Sequence, residues 1–461
     1  MLKINHDLNP EGLKEKLERF WQLSGEKIRL IQIEYDPSRG SPVFTAKGKY
    51  TTRGWTEWTQ GFQFGSAILQ FDATGDHFFL DYGKENTLNL MAPHISHMGV
   101  HDHGFNNIST YGNLFRVMKE GKIPHNQWEQ NYYEMALKVS GAVQASRWTE
   151  IINGGFIHSF NGPHSLFVDT LRSCRILMLS HGLGHVLQVE NDVKINLLKR
   201  ALHHIRSTAH FSVYYGEGRD NFDVWGRTAH ESVFNTVDGN YRCPNSQQGF
   251  SGFSTWTRGL AWGMCGFAEE LEFLQTISDE ELRELGGREY WESLMLKAAK
   301  ATCDYYIDNT PQDGIPYWDT GAPNLHRLGL GDYLYRNADP FNHYEPVDSS
   351  AAAIASQGLM RLGNYLQNQN DKDGDRYWQA GLTVIDRLLE APYLSEDPDH
   401  QGLILHSVYH QPNRWDHLPE GSNIPYGESG MWGDYHAREA ALYVWRLITK
   451  EPYYTFFNIL K

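Results

Sequence analysis

Cysteine is scarce in this chain, since its 461 residues include only four. They stand at positions 174, 243, 265 and 303, and no two of them share the CxxC spacing of zinc and redox sites. The pattern excludes a disulfide framework and a cysteine-based zinc site. It is typical of ordinary thiols in a reducing compartment.

Positive charge is also in short supply. Lys and Arg number 41 against 56 Asp and Glu, which gives a formal net charge of −15, and the chain has no run rich in Lys or Arg. This balance argues against nucleic acid and anionic membranes as partners. It does not exclude an anionic substrate, because a few local donors outweigh the field of distant charges.

Long apolar runs are missing as well. No stretch approaches the roughly 20 apolar residues of a membrane span, and the N-terminus lacks the apolar core of a signal peptide. We therefore expect a cytoplasmic protein, while a leader removed from the native chain would allow a periplasmic location. Both a monomer and a homodimer remain open.

Several catalytic motifs are absent: the P-loop, a GxGxxG that follows a strand, the GxSxG elbow and HExxH. Four histidines at 94, 97, 101 and 103 are near enough in sequence to present rings to one metal ion. Gly99 and Gly104, however, break the helix that would align them, and no cysteine is near. The sequence gives nucleotide chemistry no support, and we expect no metal site.

Helical periodicity and aromatic residues dominate what the chain does contain. Helical patterns cover 10–23, 54–69, 128–145, 192–211, 256–274, 289–308, 349–366, 376–389 and 437–449. The segments between them are long and aromatic, above all 212–255, 309–348 and 390–436, and such loops usually carry function. About a dozen helices joined by these loops predict an all-α toroid of six inner and six outer helices, with the loops at one mouth.

The chain has no linker rich in Ser or Pro that would divide it, so the sequence predicts one catalytic domain over 1–461. We interpret residues 1–50 as an N-terminal extension packed on this domain. The extension would hold the helix at 10–23 and a short strand at 28–35, where apolar residues alternate loosely.

Two aspartates stand among apolar residues, Asp102 in VHDHGF and Asp169 in LFVDTLRS. Burial disfavours the charged form of a carboxyl group. Two such carboxyls suggest a shared pocket in which one of them stays protonated. Taken singly, each aspartate fits equally well as a helix cap or as a partner of a buried backbone amide.

A third notable stretch runs from Gln248 through STWTR to Trp262. A helix that begins near Ser254 places Arg258 and Trp262 four residues apart on one face. A guanidinium beside an indole would hold a uronate carboxylate and stack on its ring. An arginine packed over a tryptophan for structural reasons explains the same pattern.

These motifs resemble glycoside hydrolase family 88, the unsaturated glucuronyl hydrolases, and more distantly family 105, the unsaturated rhamnogalacturonyl hydrolases. The resemblance extends from about Trp58 to Tyr435. It is carried by WTQGF at 58–62, HDHGF at 101–105, FVDT at 167–170, QGF at 248–250, STWTR at 254–258, IPYWD at 315–319, DSSAAA at 348–353 and WGDY at 432–435. The chain departs from the family after Asp169, where it has LRSC, and in a longer 212–246 loop, so the leaving sugar stays open.

The resemblance implies an (α/α)6 barrel that hydrolyses lyase products carrying a 4,5-unsaturated uronic acid at the non-reducing end, without metal or organic cofactor. Asp169 would protonate C4 and then activate the water that adds at C5, with a pKa raised by burial and by Asp102. Asp102 would stay ionised and bind substrate hydroxyls. The remaining substrate contacts carried over by motif are Trp58, His101, His230, Gln248, Arg258, Trp262 and Tyr435.

Three other functions remain open at this stage. The rhamnogalacturonyl activity of the sister family differs only in the disaccharide that turns over. Sugar epimerases and some polysaccharide lyases use the same toroid, and an epimerase would be expected to use the histidines as acid and base. A sugar-binding protein with a decayed site is disfavoured by the two intact carboxylates.

Overall fold

A computed structural model describes residues 1–52, 57–329 and 331–460, and helices dominate it. The α-helices are α1 Lys14–Glu34, α2 Gln60–Thr74, α3 His77–Leu90, α4 Ala92–Ile95, α5 His103–Asn107, α6 Asn113–Lys119, α7 Gln127–Ser146, α8 Thr170–Ser173, α9 Arg175–Gly182, α10 Leu197–Ser207, α11 Thr257–Leu274, α12 Asp279–Glu284, α13 Arg288–Asn309, α14 Ser349–Asn368, α15 Asp373–Leu388 and α16 Met431–Ile448. Two π-helical segments, Ile108–Gly112 and Thr208–Ser212, extend α5 into α6 and α10 into its loop.

Six helical segments of the described chain form a closed inner ring. They are α2, 103–119, 170–182, α11, α14 and α16, and each contacts the next around the ring. Every residue of α11 is buried, as expected for a helix enclosed on all sides. The small residues of α14 let the helices approach closely: a Cβ on Gly358 would lie 2.8 Å from the backbone nitrogen of Cys265.

The outer layer consists of α1, α3, α7, α10, α13 and α15, which alternate with the inner segments along the chain. Each outer helix packs on inner helices through one apolar face, as in α1, where Leu17, Phe20, Ile28 and Ile31 are buried while Ile33 is 80% exposed. The predicted (α/α)6 barrel is therefore confirmed.

The predicted strand at 28–35 is wrong because these residues continue α1 to Glu34. Their buried side chains recur every three or four residues, which is a helical period, and the apparent alternation came from the polar residues between them. The helix predicted over 54–69 is observed as α2 from Gln60 onward, and residues 53–56 lie outside the described residues. The helix predicted from 192 begins only at Leu197, where the side chain of Asn196 caps it.

Short antiparallel strands occupy several loops of the described chain. They are β1 Pro42–Ala46, β2 Lys49–Thr52, β3 Trp148–Ile151, β4 Gly154–Ile157, β5 Ser165–Phe167, β6 Val186–Gln188, β7 Lys194–Asn196, β8 Glu231–Phe234 and β9 Tyr241–Asn245. β5, β8 and β9 form one three-stranded sheet, and the other strands form three hairpins. The pairing of β5 with β8 brings the segment before Asp169 beside the segment after His230.

The two ends of the barrel are formed by different parts of the chain. The inner segments all begin at the end where the loops and the three-stranded sheet lie, and their first residues contact one another there. The C-terminal tail, with Tyr454 and Phe456, is buried at the opposite end. Within the described residues, no helix has the length and apolar character needed to cross a membrane.

Candidate active site

The N-terminal ends of the inner helices meet at one mouth of the barrel, and several predicted site residues occupy them. Asp102 precedes α5, Asp169 precedes α8, and Arg258 is the second residue of α11. Neither aspartate caps its helix with its side chain, so capping does not account for either carboxylate. Helix dipoles place partial positive charge at this mouth, which favours an anionic ligand.

His101 joins the two aspartates. Its Nε2 lies 3.4 Å from Asp169 Oδ2 and 3.9 Å from Asp102 Oδ1. The three side chains are nearly inaccessible, with exposures of 1% for His101, 6% for Asp102 and 8% for Asp169. The structure thus brings the two carboxylates together in one buried cluster, as their sequence environment predicted.

The pKa of Asp169 in this cluster is shifted in the direction opposite to the one expected from the sequence. Burial acts to raise its pKa, but the hydrogen bond and charge of His101 and the nearby His230 outweigh burial, so the pKa lies below its usual value. Burial and the charge of Asp169 raise the pKa of Asp102 despite His101. The predicted raised pKa of Asp169 is therefore wrong for the free protein, because the sequence did not reveal two imidazoles beside it.

His101 has a raised affinity for its proton. Burial lowers the pKa of this histidine, yet the two neighbouring carboxylates raise it above its ordinary value of 6.5. These directions favour an imidazolium beside an ionised Asp169, with Asp102 the more weakly acidic carboxyl group. A proton carried by His101 Nε2 would lie within hydrogen-bond reach of Asp169, while Asp102 Oδ1 is 3.9 Å away.

His230 faces Asp169 from the other side. Its Nδ1 accepts backbone N–H groups of Gln247 and Gln248 at 3.0 and 3.4 Å, and burial lowers its pKa to about 4. The ring is therefore neutral, with its proton assigned to Nε2, which lies 3.8 Å from Asp169 Oδ1. Both of these atoms are buried without a hydrogen-bond partner among the described residues, which is the arrangement expected where a ligand atom binds between them.

Arg258 is fixed by the protein on several sides. Its guanidinium contacts Asp348 at 3.3 Å, the carbonyl oxygens of Val408 and Tyr409 at 2.9 and 2.6 Å, and Gln248 Oε1 at 3.4 Å. These contacts join the start of α11 to the start of α14 and to the 390–430 loop. Arg258 is only 1% exposed, so it fixes the position of Gln248 and of this loop as well as contributing charge.

The tryptophans beside Arg258 are Trp256 and Trp432, whereas the sequence predicted Trp262. The guanidinium carbon lies 4.6 Å from the Trp256 ring and 4.8 Å from the Trp432 ring. Trp262 does lie one turn after Arg258 on α11, but it packs between Phe105 and His436 and is 2% exposed. The prediction of an Arg258–Trp262 pair is corrected because Trp262 points deeper into the barrel.

Trp58 and Tyr435, both predicted to contact substrate, lie at different depths. Trp58 is half-buried beside Trp432, with ring centres 5.4 Å apart, and its Nε1 donates to the hydroxyl of Tyr409 at 3.3 Å. Tyr435 is fully buried, stacks on Phe62 at 4.9 Å and accepts a hydrogen bond from Asn113. The structure therefore places Trp58 in the wall of the site and Tyr435 beneath it, away from any ligand in this conformation.

Sequence reasoning missed Phe160 and Tyr409. Phe160 is 39% exposed and its ring stacks 5.9 Å from that of His101, so it covers the imidazole beside the two aspartates. Tyr409 comes from the 390–430 loop and contacts Trp58. Neither residue has a motif around it, and the one available signal was that aromatic residues are frequent in the long loops.

The histidine cluster at 94–103 is used for hydrogen bonding inside the fold. His94 bonds Gln60 at 2.7 Å and Asn106 at 3.1 Å, and His103 bonds Ser140 at 2.8 Å. Burial lowers the pKa of each ring to about 4, so both stay neutral. Among the described residues no group of three or more His, Cys, Asp or Glu side chains has the arrangement of a metal site.

Known proteins with similar sequences carry two names, unsaturated glucuronyl hydrolase and unsaturated chondroitin disaccharide hydrolase. An unsaturated glucuronyl hydrolase of Bacillus sp. GL1 is 25% identical over 417 residues, which cover 88% of this chain and 91% of that protein. An unsaturated glucuronyl hydrolase of Formosa agariphila is 24% identical over 399 residues, covering 86% and 81%. No model of a known protein family matches the chain.

Solved structures of unsaturated glucuronyl hydrolases superimpose on this chain. The crystal structure of unsaturated glucuronyl hydrolase from Streptococcus agalactiae superimposes with a TM-score of 0.69 at 21% identity and covers 98% of both chains. The enzyme from Bacillus sp. GL1 superimposes with a TM-score of 0.67 at 22% identity, covering 93% of this chain and 96% of the other. The chain is thus a homologue of the unsaturated glucuronyl hydrolases and has their (α/α)6 fold, as its motifs predicted.

Proposed function

We propose that the protein is a glycoside hydrolase that removes a 4,5-unsaturated uronic acid from the non-reducing end of lyase-generated oligosaccharides. The observation that carries the proposal is the buried cluster of Asp102, His101 and Asp169 at the positive ends of the inner helices. This arrangement supplies a proton and attracts an anionic sugar in the same place. The homology to unsaturated glucuronyl hydrolases supports the same substrate class.

The reaction begins on the vinyl ether of the unsaturated ring. Asp169 donates a proton to C4, and the resulting positive charge is shared by C5 and the ring oxygen. Water then adds to C5 as Asp169, now ionised, accepts a proton from it. The hemiketal formed at C5 opens, C1 becomes a hemiacetal, and the leaving sugar departs from C1 with a proton, so atoms and charges balance.

Asp169 receives its proton from the cluster in this proposal. In the free protein the shifts favour the proton on His101, 3.4 Å away, because the pKa of Asp169 is lowered and the pKa of His101 is raised. A bound uronate displaces water, and this loss of water raises the pKa of a neighbouring carboxyl group and lowers the pKa of a neighbouring imidazole. Substrate binding therefore moves the proton from His101 to Asp169, which makes Asp169 an acid only when a ring is in place.

The remaining contacts orient the sugar. The Nε2–H of His230, which has no partner in the described structure, donates to the ring near Asp169. Gln248, fixed by Arg258, binds the polar edge, and Trp58 offers a half-buried indole for stacking. Asp102 binds substrate hydroxyls and, before the substrate binds, favours the protonated form of His101.

The test follows the loss of ultraviolet absorbance of the conjugated uronate in lyase-generated disaccharides. Wild type should remove the absorbance, and Asp169→Asn should abolish the loss, because an amide neither donates the proton to C4 nor accepts one from water. Asp279→Asn, on the exposed helix α12 at the other end of the barrel, is the matched control and should behave as wild type.

Three outcomes would contradict parts of this proposal. Full activity of Asp169→Asn would exclude Asp169 as the acid. Turnover of rhamnogalacturonan-derived disaccharides alone would assign the sister activity. Conversion of a sugar without loss of absorbance, which survives Asp169→Asn but is abolished by His101→Ala, would point to an epimerase.

A further inference from the structure

Arg147, which directly follows the outer helix α7, is a buried arginine without a carboxylate partner. It is 8% exposed and forms no ion pair with any residue that the structure describes. Its guanidinium donates to backbone carbonyl oxygens instead, from Nε to His158 at 3.1 Å, from Nη2 to Ser159 at 2.7 Å and from Nη1 to Met98. Buried charges in proteins are usually paired, so an arginine bonded to carbonyl groups alone keeps a charge that acts on its surroundings.

The carbonyl groups that bind Arg147 belong to two segments of the candidate active site. Met98 precedes His101 by three residues, and Ser159 directly precedes Phe160, whose ring stacks 5.9 Å from that of His101. The guanidinium is a rigid planar fork. One side chain therefore fixes the position of the segment that carries His101 relative to the segment that covers it.

The last turn of α7 holds the same two segments through further hydrogen bonds. Gln144 Nε2 donates to the carbonyl oxygen of His101 at 2.9 Å, and the backbone N–H of His158 donates to the carbonyl oxygen of Arg147 at 2.9 Å. The end of an outer helix is thus bonded to both sides of the His101 imidazole.

The charge of Arg147 also acts on His101 and Asp102. Burial is the largest influence on both pKa values, lowering that of His101 and raising that of Asp102, and the charge of Arg147 acts to lower both. The other titratable groups around this pair are His97, His158, Asp169, His204 and His230. Among these groups Arg147 is the one whose positive charge does not depend on pH.

We propose that Arg147 is a positioning residue of this active site, which holds His101 beneath Phe160 and keeps a fixed positive charge beside His101 and Asp102. The inference rests on the proposed function, since His101 supplies the proton of that reaction. Arg147 acts through His101 and does not touch the substrate.

The experiment compares Arg147→Gln, which removes both the charge and the fork, with Arg147→Lys, which keeps the charge but donates from a single nitrogen. Loss of absorbance gives kcat and KM on the disaccharide that wild type consumes, between about pH 5 and about pH 9. Arg200→Gln is the matched control. Arg200 is half-buried against the ring of Trp148 at 3.9 Å, and it donates to none of the three carbonyl groups that hold Arg147.

Both variants of Arg147 should lower kcat about tenfold, because a displaced imidazole transfers its proton to Asp169 less readily. Their pH dependence should differ. Removing the charge raises the pKa of His101, so the alkaline limb of Arg147→Gln should move up by about 0.5–1 pH unit. Arg147→Lys and Arg200→Gln should keep the alkaline limb of wild type, and Arg200→Gln should also keep its kcat.

An NMR titration of the His101 ring, assigned by the signal that His101→Gln removes, measures the same pKa without turnover. It should show a raised pKa in Arg147→Gln and the wild-type pKa in Arg147→Lys. Thermal unfolding of each variant establishes that it is folded.

Wild-type kcat in a folded Arg147→Lys would overturn the positioning role, and an unshifted His101 titration in Arg147→Gln would overturn the role of the charge. If Arg147→Gln does not fold, Arg147→Lys alone decides the proposal through its kcat. A wild type that consumes no disaccharide would contradict the proposed function, and the NMR titration would then still show whether Arg147 acts on His101.

Discussion

Gly104 and Ser173 bring two inner helices into backbone contact. A Cβ on Gly104 would lie 1.9 Å from the carbonyl oxygen of Ser173, and the Gly104 N–H donates to Ser173 Oγ at 3.0 Å. The same hydroxyl donates to the carbonyl oxygen of His101. Because Asp102 precedes the first helix and Asp169 the second, this contact sets the separation of the two carboxylates.

Gly104→Ala should therefore separate the two helices and abolish most activity. The added methyl group meets backbone that cannot move aside, a strain of the kind that costs about 1–3 kcal/mol or more. Thermal unfolding and the absorbance assay measure both effects. Gly263→Ala is the control, since its Cβ would lie 3.5 Å from Val168 in ordinary contact, and helical alanine is favourable. Wild-type activity in Gly104→Ala would show that the helix spacing is unimportant.

The pH dependence of activity should reveal the proton on His101. The Asp102 carboxylate is the main charge that raises the pKa of His101 above 6.5. Activity should fall at alkaline pH as His101 loses this proton, because Asp169 then has no group from which to receive the proton that it donates to C4. In Asp102→Asn the anion is gone and the pKa of His101 falls, so the alkaline limb should shift to lower pH. A shift to higher pH, or none, would contradict this order of proton affinities.

Much of the site could be predicted because its residues lie in short motifs at helix starts. The HDHGF and STWTR segments place Asp102 and Arg258 at the first turns of inner helices, where local sequence determines the position. The barrel itself follows from helical periodicity combined with the family resemblance. Local patterns of this kind do not depend on distant parts of the chain.

The features of the site that could not be predicted from the sequence depend on contacts between residues far apart in the chain. The pKa of Asp169 follows from imidazoles 68 and 61 residues away, and the partners of Arg258 include a loop 150 residues later. Trp262 and Tyr435 carry family-like motifs, yet their depth depends on how Phe105, His436 and Phe62 pack around them. Periodicity gives the face of a helix, and tertiary packing decides how deep each residue lies.

Trp58 and Tyr435 should respond differently to substitution. Trp58→Ala removes the half-buried indole of the wall and should raise KM several-fold, since stacking is lost. Tyr435→Phe removes one buried hydrogen bond from Asn113 and should cost about 1 kcal/mol of stability while KM stays near wild type. Steady-state kinetics with chemical unfolding separate the two. A large rise of KM in Tyr435→Phe would place its hydroxyl in contact with substrate.

The far end of the barrel is held by Asp72 of α2. Its carboxylate contacts Arg116 at 2.7 Å and Arg446 at 2.7 Å, and Lys122 at 2.5 Å, so it joins the first inner helix to the second and to the last. Burial opposes the charge, but the three cations outweigh burial and lower the pKa of Asp72 from 3.8 to about 2. Asp72→Asn leaves these cations without their shared anion and should cost about 3–5 kcal/mol.

This stabilisation should vanish in acid. Because the folded pKa of Asp72 lies below its unfolded value of 3.8, its charge stabilises the fold above pH 3.8 and ceases to do so as pH falls toward 2. The difference in unfolding free energy between wild type and Asp72→Asn should therefore shrink by about 1 kcal/mol between about pH 5 and about pH 3. Urea unfolding at both pH values measures it. A difference that grows in acid would mean that Asp72 is protonated in the native protein, and the three cations would then have to be stabilised by Glu120 and Glu451 instead.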